Sequence, residues 1–482
     1  MKKSYCFRRK YCSLFYVFGL PEHSVSVQLL FRCLLIAFVV FTSCGISFAQ
    51  TWNSVGSPDF SIGNTYNTSI AINGSGTPYV VYTDCGNGCK ATALKFNGSS
   101  WVTVGTAGFS GGVAESPSIA IDDSGTPYVV YGDGVFGPVT VMKYDGGSWV
   151  NVGSPGFSAG EASYTSIAID GSGTPYVAYQ DTFHGQATVM KYNGSSWVFV
   201  GSRWFSAGMA QFTSIAIDVT GTPYVIYEDY NGAATVMKFN GGSWVTVGSP
   251  RFSAGQAGSP SIAIDRSGTP YVAYSDGNIV STLGPATVMK YNGSSWVAVG
   301  SPGFSAASVI YTSIAIDSSG APYVVYGDSA NSHKATVMKY NGSSWVAAGN
   351  VGFSAGGTQY TSIAIDHNGT PYVAYGDSAN NEKATVMKLG ASNEVKNISN
   401  HAVSTLTVYP NPVTHNLFTC NITTPINEAA TIVINDILGQ VVFTTSIATN
   451  TPSELSINVP PGLYFITAST ATNKMQATLV VE

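Results

Sequence analysis

Charge is scarce in this chain. Only 10% of its 482 residues are Asp, Glu, Lys or Arg, well under the usual quarter, so the surface must be built from Ser, Thr, Asn and Gly. Basic residues are the scarcer sign. Residues 1–49 take six of the 21 basic and one of the 26 acidic residues, leaving 15 against 25 and a net charge of −10, which excludes nucleic acid as a partner. The five histidines after residue 49, His184, His333, His367, His401 and His415, share no repeat position. With no Ser-His-Asp or Cys-His pattern, nucleophilic catalysis has no support. Four of the seven cysteines fall in 1–49, leaving Cys85, Cys89 and Cys420. No second cysteine pair stands by for a zinc cage; Cys85 and Cys89 flank Gly86-Asn87-Gly88 and are candidates for a local disulfide in an oxidising compartment. The apolar run Leu34 to Phe41 is too short to span a bilayer.

What the chain has instead is a repeat. Ser166 to Val200 returns seven times, and its Pro-Tyr dipeptide marks Tyr79, Tyr128, Tyr176, Tyr224, Tyr271, Tyr323 and Tyr372, a period of about 48 residues; repeats of that length mean propellers or solenoids. Four β-branched and aromatic runs fill each copy. Asp170-Gly171-Ser172-Gly173 joins the first two as a tight hairpin, and Asn193-Gly194 joins the last two. The longer stretch Gly201 to Thr213 is the crossover to the next sheet. Each copy therefore reads as a four-stranded antiparallel blade.

Counting fourth strands closes the ring. Their tryptophans are Trp52, Trp101, Trp149, Trp197, Trp244, Trp296 and Trp345, so Trp52 precedes the first blade and the last blade lacks its own. Thr51 to Gly56 is expected to pair with Ala384 to Lys388, hiding both free edges. The fold class expected is all-β, a seven-bladed β-propeller over residues 50–389 closed by an N-terminal strand, and a monomeric propeller is expected.

Residues 1–49 combine a basic leader, an apolar run and Ser47-Phe48-Ala49, the pattern of an export signal cleaved after Ala49. A lipoprotein reading on Cys44 fits less well because Phe41 stands three residues before it. Residues 390–403 read as a polar linker. From residue 404 to 482 come seven short strand-like runs, a small β-sandwich. Within it, Val408-Tyr409-Pro410-Asn411-Pro412, Asp436-Ile437-Leu438-Gly439-Gln440 and Pro461-Gly462-Leu463-Tyr464-Phe465 occur in that order. This segment resembles the type A C-terminal sorting domain of the type IX secretion system of Bacteroidetes. The resemblance implies an Ig-like sandwich, passage across the outer membrane by the type IX secretion machinery, and a secreted or cell-surface location. Its sorting residues would include Tyr409, Pro410, Asn411, Pro412, Gly439, Gly462 and Tyr464.

Strand alternation puts both tight hairpins on one face of the ring, and the second-to-third loops with the crossovers on the other. Binding is expected on the crossover face, where loops are longer and more varied. An acid follows the second strand in every blade: Asp84, Asp133, Asp181, Asp229, Asp276, Asp328 and Asp377. These could grip sugar hydroxyls, or simply cap their own loops; calcium would need six to eight converging oxygens, which one acid per blade does not supply. Tyr164, Phe212, Tyr311 and Tyr360 stand just before the first strand, with Ser116 and Ser259 in blades two and five. Aromatics beside Asp and Asn suit a sugar. The crossover Phe60, Phe109, Phe157, Phe205, Phe252, Phe304 and Phe353 read as plugs between blades.

On the hairpin face, the lysines ending the third strands are expected to pair with the aspartates ending the first strands, at little gain. The Asp-x-Ser-Gly-Thr-Pro-Tyr turns look like the Asp-boxes of sialidase propellers, but lack the Thr-Trp ending. Arg203, Arg251 and Arg266 also divide between the two faces, which disfavours that activity. The expected function is an exported binding protein, not an enzyme and without a cofactor, with carbohydrate as ligand on the crossover face. The alternatives are a structural or protein-interaction surface protein, and a glycoside-processing enzyme, which would need two carboxylates about 5–10 Å apart.

Overall fold

A computed structural model describes residues 50–158, 160–278, 283–391, 405–413, 416–424, 427–470 and 474–482. The export signal expected over 1–49 lies outside the described residues, as do His401, His415 and all of the expected linker except Gly390 and Ala391. Two compact units divide the chain, one up to Ser392 and one from Asn393 onward.

The first unit consists of seven four-stranded antiparallel sheets, six running in chain order from first to fourth strand and the seventh taking its fourth strand from the N-terminal end of the unit. In blade three the strands are Ala162–Ile169, Pro175–Asp181, Ala187–Tyr192 and Trp197–Phe199. First strands of successive blades contact one another and so line the centre. The second strand is buried along its whole length, which is why it reads as an unbroken apolar run instead of an alternating one. Each hydrophobic cluster bridges two blades: Val130 and Val141 of blade two pack with Ile167, Val177 and Tyr179 of blade three. The Asp170 turn forms because its Oδ1 accepts from the amides of Ser172 (2.9 Å) and Thr174 (3.0 Å), while Gly173 takes φ of 81°.

Gln50–Ser54 closes the ring against the last strand, Lys383–Ala391, with Trp52 opposite Leu389 and Asn53 opposite Lys388. The pairing sits further along than expected because that strand runs on through Gly390 and Ala391. Trp52 Nε1 donates to the Ala348 carbonyl at 2.7 Å, the bond that Trp197 and Trp244 make to Val152 and Val200 of their preceding blades. A crossover phenylalanine stacks on each tryptophan, as Phe353 does on Trp52 and Phe157 on Trp197, with ring centroids 4.4 and 4.1 Å apart. The closing seam thus repeats the internal ones.

The second unit is a two-sheet sandwich. Thr405–Tyr409, Leu417–Thr423 and Ser453–Ser456 form one sheet; Val441–Ala448, Ala429–Asn435, Gly462–Ser469 and Lys474–Val481 form the other. Phe418, Ile422, Ile432, Ile434, Ile466 and Leu479 fill the space between them. This layout fits an Ig-like domain.

Candidate functional site

The inner rim of the crossover face begins with a backbone irregularity. In every blade the first strand bulges against the second, as between Ser163 and Ser166. The third residue of that strand lies in the left-handed region in all seven copies: Asn67, Ser116, Tyr164, Phe212, Ser259, Tyr311 and Tyr360 have φ between 47° and 54°. Tyr164, Phe212, Tyr311 and Tyr360 therefore stand inside the first strand, not before it as expected. The bulge has a structural return, because it turns the residue's carbonyl toward the next blade. Thr213 Oγ1 donates to the Tyr164 carbonyl, Thr361 to that of Tyr311 and Thr68 to that of Tyr360. Left-handed backbone on an aromatic residue costs of order 1–3 kcal/mol, and these inter-blade bonds offset part of it.

The bulge also sets the aromatic rings in a file along the rim. Tyr164 leans on Phe212 with centroids 4.6 Å apart, and Tyr311 leans on Tyr360 at 4.8 Å. Tyr66, which the repeat alignment passes over because it precedes the shared position, extends the second file edge-on to Tyr360 at 6.2 Å. In the first file Phe212 has Ser259 as its next neighbour round the ring and is 36% exposed.

Glu228 lies beneath the first file. Buried, with Oε2 lacking any hydrogen-bond partner, its carboxyl is pushed up to about 7, chiefly by burial and secondly by the charge of Asp229. The Tyr164 hydroxyl is raised in turn by burial and by Glu228. At the same position in other blades, Thr83 Oγ1 donates to the Ala114 carbonyl, Gln180 Nε2 to Gly185 and Ser275 Oγ to Gly284. Side chains at this position donate where they are present, glycine standing there in the other three blades, and a carboxyl donates only while protonated.

The seven acids after the second strands do not converge. Asp84 accepts from the Gly86 amide, Asn87 Nδ2 and Thr92 Oγ1, and Asp328 repeats the set with Ala330, Asn331 and Thr336. Asp377 accepts from the amides of Gly356 and Ala379, Asp133 from Gly112, and Asp276 from Thr287 Oγ1. Asp181 holds the His184 amide and Nδ1, and Asp229 the amides of Asn231 and Ala233. All seven are engaged within their own blade or the crossover beside it. No group of three or more potential metal ligands occurs among the described residues.

Blades three and four carry side chains the repeat does not predict. Trp204 and Arg251 have φ of 57° and 55°, where four other copies use Gly108, Gly156, Gly303 and Gly352 at φ between 58° and 63°. Trp204 is sandwiched, with the His184 ring stacked at 3.6 Å and the Arg203 guanidinium 4.1 Å from its centroid. Arg251 Nε pairs with Asp229 at 2.5 Å while the guanidinium covers Tyr230 at 4.4 Å. Phe183 beside them is 89% exposed. The only sequence signal for this sector is a bulky residue where the repeat places glycine.

On the hairpin face, of the lysines expected to pair with aspartates only Lys339 does so among the described residues, with Asp317 at 3.4 Å. Lys191 and Lys238 lie over Tyr176 and Tyr224 instead. The Asp170 and Asp265 Oδ1 atoms are already engaged by their turns. At the other face a disulfide joins Cys85 to Cys89.

In the second unit the motif residues sit at strand ends. Asn411 donates to the Thr478 carbonyl and accepts from the Val480 amide, both at 2.8 Å, tying the Tyr409-Pro410-Asn411-Pro412 stretch to the last strand. Asp436 Oδ1 accepts from Leu438 and Gln440 around Gly439, and the Tyr464 hydroxyl donates to the Pro460 carbonyl two residues before Gly462.

These geometries define an all-β protein made of a closed seven-bladed propeller and a small Ig-like sandwich. Residues 407–482 match the secretion system C-terminal sorting domain, so the second unit is a type IX sorting domain and the chain is one marked for export to the secreted or cell-surface compartment. No curated protein matches the chain. Among solved structures it is similar to an alpha-L-arabinanase of Penicillium chrysogenum, with 12% identity, 72% of this chain and 98% of that one covered, and a TM-score of 0.44. It is also similar to the Aleuria aurantia lectin (16%, 61% and 97%, 0.42) and to a PL25 ulvan lyase (14%, 70% and 94%, 0.44).

Proposed function

We propose that this protein is an exported carbohydrate-binding propeller whose site is the crossover-face rim at blades three and four. The observation that carries the reading is the concentration of aromatic and charged departures from the repeat there, on backbone that would favour glycine. Trp204 and Arg251 keep left-handed φ at a cost that glycine avoids in four other copies, the seventh copy carrying the smaller Asp59 at φ 56°. Tyr164 and Phe212 offer ring faces for sugar C–H groups, and Phe183 and Tyr230 extend the platform. A hydrogen-bonding group stands in the same sector in Arg203, beside Trp204. The seven aspartates are not part of this reading, because their oxygens serve their own blade or the crossover beside it.

Binding is favoured over turnover because Glu228 and Asp229 are neighbours on one strand and Asp229 is held by Arg251 and two amides. A second reading, a protein-interaction surface, is favoured by the exposed loop tips Phe136 and Phe183 at 53% and 89%.

A glycan array probed with the chain from Gln50 to Glu482, beside a variant carrying Tyr164→Ala and Phe212→Ala, tests the proposal. Selective binding lost in the variant supports it. Absence of glycan binding at high protein concentration transfers the site to a protein partner.

A further inference from the structure

The crossover rim is not the only place where blades meet to form a recess. On the opposite, hairpin face a cleft of about 590 Å³ opens between blades four and five, bordered by Tyr224, Lys238, Asp265, Tyr271, Lys290 and Asn292. That volume suits a sugar unit or two. Lys238 and Lys290 are both half-buried, and among the described residues neither has a carboxylate within salt-bridge distance, although Lys339 at the equivalent place does. Lys238 rests over the Tyr224 ring, 5.8 Å from its centroid. Asp265 directs Oδ1 into its own turn, toward the Ser267 amide at 2.9 Å and the Thr269 amide at 2.9 Å. Two ammonium groups thus border the cleft with one partly engaged carboxylate in its lining, while Asp218 stands behind it against Tyr224.

We propose that this cleft binds an anionic sugar residue, its carboxylate or sulfate held between Lys238 and Lys290 and its hydroxyls donating to Asp265 Oδ2. Half-buried ammonium groups lose hydration without gaining a partner, and an anion entering between them supplies the missing charge-assisted hydrogen bonds. The site rests on the hairpin face and is independent of the crossover-face reading.

The repeat multiplies the site. Lysines stand at the same place in every blade, at Lys95, Lys143, Lys191, Lys238, Lys290, Lys339 and Lys388, outside the aspartates that end the first strands. Apart from Lys339, which is paired with Asp317, these lysines form a ring of donors, and a polymer carrying many anionic residues can engage several at once. Linking weak sites in this way raises avidity by orders of magnitude without a new contact.

The test is a binding titration of the chain from Gln50 to Glu482 with polygalacturonate, dextran sulfate and uncharged dextran, at low and at 0.5 M salt. Binding of either polyanion, weakened at high salt and absent with dextran, is expected; the stronger of the two arms tells carboxylate from sulfate. Lys238→Gln with Lys290→Gln should weaken it several-fold, and Gln at all seven lysines should reduce it by about tenfold or more, the loss expected for removing charged hydrogen bonds. Tyr164→Ala with Phe212→Ala should leave it unchanged. Equal binding of dextran, or binding that survives the seven-lysine variant with the fold intact by circular dichroism, overturns the proposal. Should the seven-lysine variant fail to fold, the double variant decides: unchanged affinity there also overturns it.

Discussion

The two faces of the propeller come from the same seven repeats, yet they have diverged to different degrees. On the hairpin face the Asp turn, the Asn-Gly turn and the terminal lysine recur in nearly every blade with the same bonds: Asp170, Asp218 and Asp265 each cap the amides two and four residues on. On the crossover face, blades six and seven keep plain Ser-Ala-Asn loops, while blades three and four place His184, Trp204, Tyr230 and Arg251 among the loops. Uniformity is what a framework or a multivalent surface needs, since each seam must close in the same way. Localised departure marks a single specific site. The comparison also separates two kinds of strain: the left-handed residue on the rim occurs in all seven blades and belongs to the architecture, whereas Trp204 and Arg251 depart from a glycine consensus.

The most severe way to break the uniform framework is at its one non-sequential seam. Trp52 is buried, stacks on Phe353 and bonds the Ala348 carbonyl. Trp52→Ala should cost about 3–5 kcal/mol, the usual range for deleting a buried tryptophan, and deletion of 51–56 should cost more because it bares a sheet edge. Chemical denaturation compared with Trp197→Ala is the measurement. If the seams are equivalent the two alanine variants lose similar amounts; a much smaller loss at Trp52 would mean the ring does not rely on its closure.

A middle-sized effect tests the buried acid under the rim. The Glu228 carboxyl has an ordinary value near 4.5 and is pushed up to about 7 in the fold. Between those values the folded chain holds a proton that the unfolded chain has released, so stability is full below pH 4.5 and is lost as pH rises through 7. Glu228→Gln supplies a permanent donor, as Gln180 does in blade three. The variant should gain on the order of 2 kcal/mol at pH 8 and nothing at pH 4.5. Equal stability of the two proteins at pH 8 would show that the carboxylate finds solvent or a partner on ionising.

Most of the framework was legible in the sequence, because each strand carries its own signal: Asp-x-Ser-Gly and Asn-Gly mark the turns, Trp counts the blades, and the orphan Trp52 demands closure. The site was legible only in part. Tyr164, Phe212, Tyr311 and Tyr360 were visible as a set, but the bulge that lifts them onto the rim depends on pairing between strands, and no residue type marks it: Asn, Ser, Tyr and Phe all occupy it. The second-strand acids show the other case, a repeated pattern for which the sequence offered both loop capping and sugar binding, and whose oxygens hold local amides and hydroxyls. Lysine–aspartate pairing could not be read residue by residue, since Asp317 keeps Lys339 on Oδ2 while its Oδ1 holds the turn, whereas Lys191 and Lys238 lie over Tyr176 and Tyr224. Trp204 and Arg251 could have been noticed as substitutions of a repeated glycine, although the φ that gives those substitutions meaning is a property of the fold.

The smallest stability effect sharpens the distinction between framework and site most finely. Trp204→Gly restores the residue that blades two, three, six and seven use on entry. Glycine relieves about 1 kcal/mol or more of left-handed strain and gives up the His184 stack and the Arg203 cation–π contact, itself worth about 0.5–1 kcal/mol at an exposed site. The two terms nearly cancel, so global stability should change by less than about 1 kcal/mol, while the Arg203 and His184 side chains lose the surface that orients them. Glycan binding on the crossover face should then fall although the ring melts as before. A loss of stability with binding intact would place Trp204 with the framework and withdraw blades three and four as the site.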